Sequence, residues 1–443
     1  MKKNCWYLIV LVICFILFTC VNACYLLVKE NSESEISQCS DTESLGKEQS
    51  FISETSEIHE RTTINYDYIK GIWVSQFDMS PIYCKNSVQR DKESYTSLVE
   101  TMLNNIKKDS FNTIFLQLRP NGDSMYESNL FPVSRYVSGA YGNGISYDAV
   151  EIFIEKAHEL GISVHGWINP LRLMSVNDIE VIGEDYLITK WFRQQNGRVV
   201  VVEDRLYLNP AYQDARQLII DGAAEIMSRY DIDGIHMDDY FYPTKEEAFD
   251  RAEFASSEFG DLGDFRRNNI NLLVKGLYEA VKAADSSAIY GIAPAGNLYS
   301  LKNYYYADAY KWCSESGYID YIMPQLYFGF LNKSCPFDKV LTDWAEIVTE
   351  PSIRLIVGLT AAKAVLAVNG ELDVFAGSEE GKNEWINNKD ILYRSLLEIY
   401  SEEKADGYCF FCYQYLYDVI TGEPNPAFSE ERENIGELLE YNN

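Results

Sequence analysis

The sequence predicts an α/β protein whose main part is a (β/α)8 TIM barrel, and three observations support this. Eight short apolar runs of strand character follow one another from about Tyr66 to the C-terminus. Segments with apolar residues at helical spacing separate most of these runs, and such alternation indicates parallel βαβ units. The runs turn polar only near their C-terminal ends, which is the face on which barrels of this class carry their active sites.

Ahead of the barrel, residues 1–28 form a hydrophobic segment that begins with two lysines. The run from Cys5 to Val28 carries no charge and is long enough to span a bilayer. The lysines would keep the N-terminus in the cytoplasm, which places the rest of the chain outside. We expect an uncleaved signal-anchor. A cleaved signal peptide, or a lipid anchor at Cys24 in the sequence VNAC, is the alternative.

Residues 29–65 are rich in Ser, Glu and Thr and contain few apolar side chains. Because such a composition cannot bury a core, it predicts a disordered polar tether between the membrane and the barrel. The whole chain has 67 acidic and 38 basic residues, which gives a net charge of −29. Nucleic acid is therefore not expected as a partner, since phosphate binding requires a basic surface.

The barrel domain, residues 66–443, contains the predicted strands GIWVSQFD, TIFLQLRP, SVHGWINP, GIHMDDYF, IYGIAPAG, YIMPQLYF, RLIVGLTA and GYCFFCYQYL. Helical periodicity is clearest in SYTSLVETMLNNIKKDS, YDAVEIFIEKAHELG, AYQDARQLIIDGAAEIMSRYD, NINLLVKGLYEAVKAAD and DILYRSLLEIYSEEKAD. Longer segments, 121–146, 171–210, 243–262 and 364–389, follow strands two, three, four and seven. They enlarge the C-terminal face, which favours a cleft for an extended substrate.

Strand four ends in DGIHMDDYFYP, where two adjacent carboxylates follow an apolar run. Side chains alternate along a strand, so His236, Asp238 and Tyr240 share one face. Met237 and Asp239 share the other. Because apolar Met237 suits the side that meets the helices, Asp238 should point into the barrel beside His236. Asp239 should lie at the rim, where it can cap the next segment.

Glycoside hydrolysis requires an acid that protonates the leaving oxygen and a carboxylate that acts as base or nucleophile. Asp238 fits one of these catalytic roles, and the alternative is a structural carboxylate in a polar network at the barrel mouth. Asp239 and Asp123 are candidates for the second catalytic carboxylate, the latter in RPNGDSMYES after strand two. Glu127 and Asp78 are further candidates. Asp123 can equally be an ordinary turn residue.

The remaining polar and aromatic side chains near the strand ends are candidates for substrate binding. Amides suit hydrogen bonds to sugar hydroxyls, and aromatic rings can stack on sugar faces. An arginine at a strand end can orient a carboxylate or contact an acidic sugar substituent. The set comprises Arg119, Gln117, Asn169, Trp167, His236, Tyr240, Asn297, Gln325, Tyr327 and Gln414. For each aromatic ring alone, packing in the core is the alternative.

No metal site or cofactor is predicted, and the chain has no nucleotide-binding motif. The two strand histidines, His165 and His236, lack a partner at metal-binding spacing. We expect them to form a hydrogen-bonded pair inside the barrel. The CFFC sequence has redox or metal spacing, but it lies in an apolar run. We expect Cys409 and Cys412 to pack in the core, with their thiols on opposite sides of the strand.

Four segments resemble the bacterial glycosyl hydrolase-like family 10, namely FNTIFLQLRPNGDSMYES, ELGISVHGWINP, YLNPAYQDARQLIIDGAAEIMSRYDIDGIHMDDYFYP and YIDYIMPQLYF. The resemblance covers residues 68–418 and implies a (β/α)8 barrel that is an extracytoplasmic or lipoprotein glycosidase. It also implies cell-wall glycan as a substrate of some members. The motif positions correspond to Arg119, Asp123, Asn169, Asp238 and Asp239. FPVSRYVSG departs from the family at Val133, where a tryptophan is expected, so the substrate need not be that of better-known members.

Together these features predict a membrane-anchored, extracytoplasmic glycoside hydrolase that needs no metal. Its expected substrate is a polysaccharide such as the glycan strands of peptidoglycan. Two other classes stay open. One is a non-catalytic carbohydrate-binding barrel at the cell surface, and the other is a scaffold that organises cell-wall machinery through its acidic tether. Product formation from glycan, and its loss on substitution of Asp238, distinguishes the enzyme from both.

Overall fold

The computed structural model describes residues 63–238 and 241–440, whose parallel strands form a closed eight-stranded barrel. The strands are β1 (Ile69–Val74), β2 (Thr113–Arg119), β3 (Ser163–Ile168), β4 (Gly234–Met237), β5 (Ile289–Ile292), β6 (Tyr321–Ile322), β7 (Arg354–Thr360) and β8 (Ala405–Phe411). They pair in chain order, and β8 returns to β1 with Gly407 opposite Ile69. The predicted barrel is therefore confirmed. The hydrophobic segment and nearly all of the tether lie outside the described residues.

Helices that follow each strand cover the outside of the barrel. They are α1 (Lys92–Lys108), α2 (Ala149–Glu159), α3 (Gln213–Arg229), α4 (Leu262–Ala284), α5 (Ala309–Trp312), α6 (Phe337–Ile347), α7 (Ile391–Ser401) and α8 (Ser429–Glu440). The side chains of Asp91, Asp148 and Asp261 cap the first turns of α1, α2 and α4. The five helices predicted from periodicity are α1 to α4 and α7. Of the others, α5 is a single turn, which is too short to leave a helical pattern in the sequence.

The insertions that follow the strands contain shorter elements. An antiparallel sheet after β3 joins Arg172–Ser175, Arg205–Leu208 and Val199–Val202, and a hairpin after β1 pairs Cys84–Lys85 with Val88–Gln89. Short helices are Gln76–Tyr83, Arg135–Ser138, Val176–Ile179, Leu187–Gln194, Arg251–Ala255, Leu298–Tyr304, Ala361–Val368, Glu379–Asn387 and Tyr413–Leu416, with single 3-10 turns at Glu247–Phe249 and Pro426–Phe428.

Two sets of apolar side chains form the core. The larger set lies between strands and helices and includes Met237, as the alternation along β4 predicts. The smaller set fills the barrel interior and includes Trp73, Phe115, Trp167 and Tyr321. Because the interior is packed with rings, the open end of the barrel is the place where a ligand can enter.

The two strand histidines lie in this interior and share one partner. Nδ1 of His236 is 2.8 Å from the Tyr321 hydroxyl, and Nδ1 of His165 is 3.3 Å from the same oxygen. The Tyr321 ring has room because a Cβ at Gly291 would lie only 2.2 Å from it. Burial lowers the pKa of His165 to about 4 and that of His236 well below its usual range. Both rings are therefore neutral near pH 7.

Cys409 and Cys412 are free and buried, which agrees with core packing. The expectation that their thiols lie on opposite sides of the strand is wrong, since both belong to the interior set. β8 ends at Phe411, and Cys412 already precedes the helix Tyr413–Leu416, so the alternation of a strand no longer applies. Burial raises the pKa of both thiols well above their usual range, which leaves them protonated.

Candidate active site

A pocket of about 140 Å3 opens at the C-terminal end of the barrel. We call it the mouth pocket. It is lined by Trp73, Ser75, Gln76, Phe77, Gln117, Trp167, Asn169, Arg172, Asp238, Gln325, Tyr327 and Phe411. Asp238 is the one carboxylate among the described residues that line it. The pocket thus combines a single buried carboxylate with amides and aromatic rings.

Asp238 directly follows β4, and its side chain is held by donors from the end of β3. Its Oδ2 accepts a hydrogen bond from Trp167 Nε1 at 3.1 Å and another from Asn169 Nδ2. Two N–H donors on one carboxylate oxygen stabilise the ionised form and fix its orientation. The arrangement therefore suits a base or nucleophile better than an acid.

A chain of hydrogen bonds orients the Asn169 side chain. The main-chain N–H of Gln76 donates to Gln117 Oε1 at 2.8 Å, and Gln117 Nε2 donates to Asn169 Oδ1 at 2.7 Å. Since a main-chain N–H can only donate, Gln117 must present its oxygen to Gln76 and its NH2 group to Asn169. Asn169 must in turn present its NH2 group to Asp238. The main chain at the start of the helix Gln76–Tyr83 thus sets the direction of the whole chain.

The structure brings most of the predicted strand-end residues together. Gln117, Trp167, Asn169, Gln325 and Tyr327 line the mouth pocket with Asp238. His236 lies one layer deeper, where its Nε2 accepts from Trp73 Nε1 at 3.0 Å. It therefore supports a wall of the pocket through Trp73 and does not line the pocket itself. Asp239 and Tyr240 lie outside the described residues, and their roles stay predictions.

Arg119 does not reach the mouth pocket. The pairing of β2 with β3 shifts between Gln117 and Arg119, and this irregularity turns Arg119 toward the helices. Its guanidinium stacks on Phe131, with 4.0 Å from the carbon to the ring centre, and packs against Gly222 of α3. Burial lowers the pKa of Arg119 to about 10. The expectation that Arg119 binds substrate is therefore corrected: its position is that of an anchor between strand and helix.

Asp123 also lies outside the pocket lining, in the loop after β2. It is fully buried and accepts hydrogen bonds from the Asn121 main chain and the Tyr141 hydroxyl, both at 2.9 Å. Burial raises the pKa of its carboxyl, although these bonds oppose the change. Asn121 Nδ2 donates in turn to Gln76 Oε1 at 3.3 Å. Asp123 therefore contacts the pocket through Asn121 and Gln76 only, as a positioning residue would.

Asp78 and Gln414 meet each other below the pocket wall. Asp78 accepts from the main-chain N–H groups of Ser75 and Gln414, each at 2.6 Å, and burial raises the pKa of its carboxyl. The Gln414 side chain donates to Cys412 Sγ at 3.5 Å. Neither residue lines the mouth pocket. Asp78 and Gln414 lie in the short helices that follow β1 and β8, so the hydrogen bond between them holds the ends of these two strands together.

Asn297, after β5, is likewise away from the mouth pocket. Its Oδ1 accepts from the Ser300 main chain at 2.9 Å, and its Nδ2 donates to Cys335 Sγ at 3.0 Å. It thus caps the helix Leu298–Tyr304. The expected contact between Asn297 and substrate at the mouth is not supported, since the helix begins there and carries the side chain to a neighbouring groove.

Six lining residues are absent from the predicted set, and two of them, Ser75 and Gln76, lie where the first short helix begins after β1. Trp73 and Phe411 lie on β1 and β8, where strand alternation alone gives a signal for an inward position. Phe77 and Arg172 come from insertions and carry no such signal. Phe77 is 57% exposed at the pocket rim, and Arg172 is delivered by the first strand of the sheet after β3. An aromatic platform and a cation thus complete the pocket.

Within residues 63–238 and 241–440, no group of His, Cys, Asp and Glu side chains could hold a metal ion. The same residues include no helix with both the length and the apolar character needed to cross a bilayer. The predicted N-terminal anchor lies outside this part of the chain.

Comparison with known sequences gives matches over the barrel. The sequence profile described as glycosyl hydrolase-like 10 matches residues 68–373. Glycosyl hydrolase YngK of Bacillus subtilis is 32% identical over 299 residues, 62% of this chain and 57% of the relative. Glycosyl hydrolase DigH of Escherichia coli K12 is 27% identical over 328 residues, 67% of this chain and 73% of the relative. The match therefore spans just over half of the Bacillus protein.

Comparison with solved structures supports the fold alone, because the identities are low. The glycoside hydrolase domain of PgaB from Bordetella bronchiseptica aligns with a TM-score of 0.52 at 11% identity, over 84% of this chain and 99% of that domain. The catalytic domain of a β-amylase from Paenibacillus polymyxa aligns with a TM-score of 0.52 at 9% identity, over 84% of this chain and 99% of that domain.

Proposed function

Because the chain belongs to the glycosyl hydrolase-like 10 family, we propose that it hydrolyses glycosidic bonds in a polysaccharide. The observation that carries the proposal is the placement of Asp238 at the barrel mouth, with two N–H donors on one oxygen. Aromatic rings and amides around it match the faces and hydroxyls of a sugar. Carboxylate chemistry of this kind needs no cofactor.

Asp238 acts from its ionised form, either as the nucleophile at the anomeric carbon or as the base that activates water. Trp167 and Asn169 hold it in place, and Gln117 orients Asn169. The exposed Phe77 ring offers a platform for a sugar face. Asp123 acts as a positioning residue through Asn121. The acid that protonates the leaving oxygen is a second group, for which Asp239 is the proposed candidate.

The proposed substrate is an extracellular polysaccharide, and peptide-free glycan strands of peptidoglycan are the first to test. The hydrophobic N-terminal sequence and the two lysines ahead of it support an enzyme that works outside the cytoplasm, anchored to the membrane. The sequence resemblance to a family with members that act on cell-wall glycan supports the same substrate class.

The test compares Asp238→Asn with Asp123→Asn on purified glycan strands, with products followed by mass spectrometry. Asp238→Asn should lower kcat by at least about 100-fold with little change in Tm, because the amide can neither attack nor accept a proton. Asp123→Asn is the matched control, since it alters a buried carboxyl outside the pocket lining. Compared with Asp238→Asn, the Asp123→Asn variant should have a lower Tm and a higher kcat. Near-normal turnover by Asp238→Asn would reject the proposal.

A chemical rescue and the configuration of the wild-type product together define the role of Asp238. Azide added to Asp238→Gly should restore bond cleavage if the carboxylate is a nucleophile or base, because the anion fits the space that the side chain leaves. The anomeric configuration of the sugar that the wild type releases then separates the two roles, because a nucleophile gives retention and a base gives inversion.

A non-catalytic carbohydrate-binding barrel is the second candidate, and one observation favours it. Asp238 is the one carboxylate among the described lining residues, whereas hydrolysis in its usual form uses two. Glycan binding by the wild-type chain with no product at any pH would establish this candidate in place of the enzyme.

A further inference from the structure

Beside the mouth pocket lies a larger groove of about 510 Å3, which we call the side groove. Its walls come from the helix Leu298–Tyr304, from α5 and from α6. α5, which is only a single turn, contributes Tyr310 to the groove, and α6 contributes Val340, Asp343, Glu346 and Ile347. The first of these walls follows the C-terminal end of β5, so the groove starts on the face of the barrel that carries the mouth pocket.

The side groove begins directly beside the mouth pocket. Gly296 in its wall follows Ala295, and Ala295 forms a β-bridge with Gln325 of the mouth pocket. A Cβ at Gly296 would lie 2.5 Å from the Gln325 carbonyl oxygen, so the two residues are in contact. Trp344 Nε1 donates to the Gly296 carbonyl at 2.8 Å, which ties this junction to α6. Gly296, which lines the side groove, therefore contacts Gln325, which lines the mouth pocket.

Two tyrosine rings line the side groove and are open to solvent. Tyr299 is 67% exposed and Tyr310 is 43% exposed. The Tyr304 ring packs edge-on against Tyr299 with 5.8 Å between ring centres, and Lys302 Nζ is 5.3 Å from the centre of the Tyr310 ring. Exposed phenol rings with such supporting contacts offer apolar faces at low conformational cost. They match the apolar face of a sugar ring.

The remaining walls of the side groove are polar. Asn303, Ser334, Asp343 and Glu346 supply an amide, a hydroxyl and carboxylates, which together donate to and accept from sugar hydroxyls. Two carboxylates and one lysine leave the groove with mixed charge, in a chain whose net charge is −29. A densely sulfated or phosphorylated polymer is therefore disfavoured.

We propose that the side groove is a second glycan-binding site, which holds sugar units of the same polysaccharide whose cleavage point lies in the mouth pocket. This inference rests on the proposed function. Ligand sites usually measure about 300–1,000 Å3. The mouth pocket has about 140 Å3 and the side groove about 510 Å3. Most of the binding volume for a long chain thus lies beyond the point of cleavage.

The test measures Kd by titration calorimetry in the Asp238→Asn background, which prevents turnover. The probes are long peptide-free peptidoglycan strands and the disaccharide derived from them. The double substitution Tyr299→Ala and Tyr310→Ala should reduce the preference for long strands over the disaccharide about tenfold, since each ring would contribute a sizeable share of the binding energy.

The matched control is Tyr305→Ala. Tyr305 is 38% exposed and belongs to the same segment, but it does not line the side groove. It should leave the preference for long strands unchanged. An unchanged preference in the double variant, or an equal loss in the Tyr305 variant, would overturn the inference.

Wild-type hydrolysis of the same strands separates the two proposals. Cleavage by the wild type together with unaltered binding by the double variant would reject the second site alone. Tyrosine-dependent binding of long strands without any cleavage would reject the hydrolase and keep the second site. Absence of binding to either probe would count against both.

Discussion

Asn169 is the residue on which the geometry of Asp238 depends most directly. It reaches Asp238 from the neighbouring strand, and its own orientation is set by Gln117 and, through it, by the main chain of Gln76. Within this series of hydrogen bonds, a substitution should lower kcat less the further the residue lies from the Asp238 carboxylate.

We expect Asn169→Ala to lower kcat about 10- to 100-fold, because Asp238 Oδ2 loses the N–H donor of Asn169. Gln117→Ala should lower kcat less, since it acts only through Asn169. Steady-state kinetics on purified glycan strands, with Tm as a check on folding, measures both. A larger loss of kcat in the Gln117 variant than in the Asn169 variant would contradict this order.

Arg119 and Gly222 form a pair with a structural role. A Cβ at Gly222 would lie 2.0 Å from Arg119 Nη1, so Gly222→Ala should lower the free energy of unfolding by roughly 2–3 kcal/mol. Gly436→Ala on α8 is the control, because no atom lies within 4 Å of the added Cβ. It should stabilise by up to about 1 kcal/mol, as alanine favours a helix. Urea unfolding measures the free energy of unfolding of both variants. Equal changes in Gly222→Ala and Gly436→Ala would contradict the tight packing of Arg119 against Gly222.

Asp238 and Arg119 show how far the direction of a single side chain can be predicted from the sequence. Asp238 was predictable as an inward residue because β4 is regular up to Met237 and side chains alternate. Arg119 was not, because the pairing of β2 shifts just before it, and one irregular position reverses the face of all that follows. Sequence alternation carries no sign of such a shift.

At the scale of elements, the strands and long helices were predictable because each repeats one period over several residues. The sheet after β3 was not, since its strands of four residues lie within a long insertion. It is this sheet that brings Arg172 to the mouth pocket. The pocket is therefore only partly visible in the sequence: its barrel strands follow a pattern, and its insertions do not.

α7 begins against a buried carboxyl from α8. Glu431 accepts hydrogen bonds from the main-chain N–H groups of Ile391 and Leu392 at 3.2 and 3.3 Å. Burial nevertheless raises the pKa of Glu431 from 4.5 to about 7. A raised pKa means that the folded state binds the proton more tightly than the unfolded chain does. The stability that this proton contributes is complete below about pH 4.5 and is lost as the pH rises through about 7.

We therefore expect Glu431→Gln to flatten the dependence of stability on pH. Between pH 5 and pH 8 the wild type should lose up to about 3 kcal/mol more than the variant, from a pKa difference of about 2.5. Urea unfolding of both chains at several pH values measures the difference, in which other titrating groups cancel. Parallel stability curves would show that Glu431 has an ordinary pKa.

At the scale of the whole molecule, the barrel begins earlier than its first strand. The Ile64 main chain donates to Asp233 Oδ1 at 2.6 Å, and Arg354 donates to the Tyr66 carbonyl at 2.7 Å. These contacts fasten the entering chain beneath the barrel, at the end opposite the mouth pocket. Residues before Thr63 lie outside the described part of the chain.

Removal of residues 1–62 should therefore leave Tm within about 1 °C of the full chain, because the removed sequence is mostly tether and hydrophobic segment. It should also move the protein from the membrane fraction to the soluble fraction, as the proposed anchor requires. Removal of residues 1–68 is the control: it deletes both contacts and should lower Tm by several degrees. Equal Tm values for the two truncations would contradict a fastening role for residues 63–68.

The hydrogen-bond chain from Gln76 through Gln117 and Asn169 to Asp238 contains only amides before the carboxylate. None of these links gains or loses a proton at any pH at which a protein stays folded. This hydrogen-bond chain is thus insensitive to acidity and does not itself distort a pH–rate curve. Its acidic limb would report Asp238, and its alkaline limb would report the proton donor. A titration of activity would then serve as a direct search for the second catalytic group.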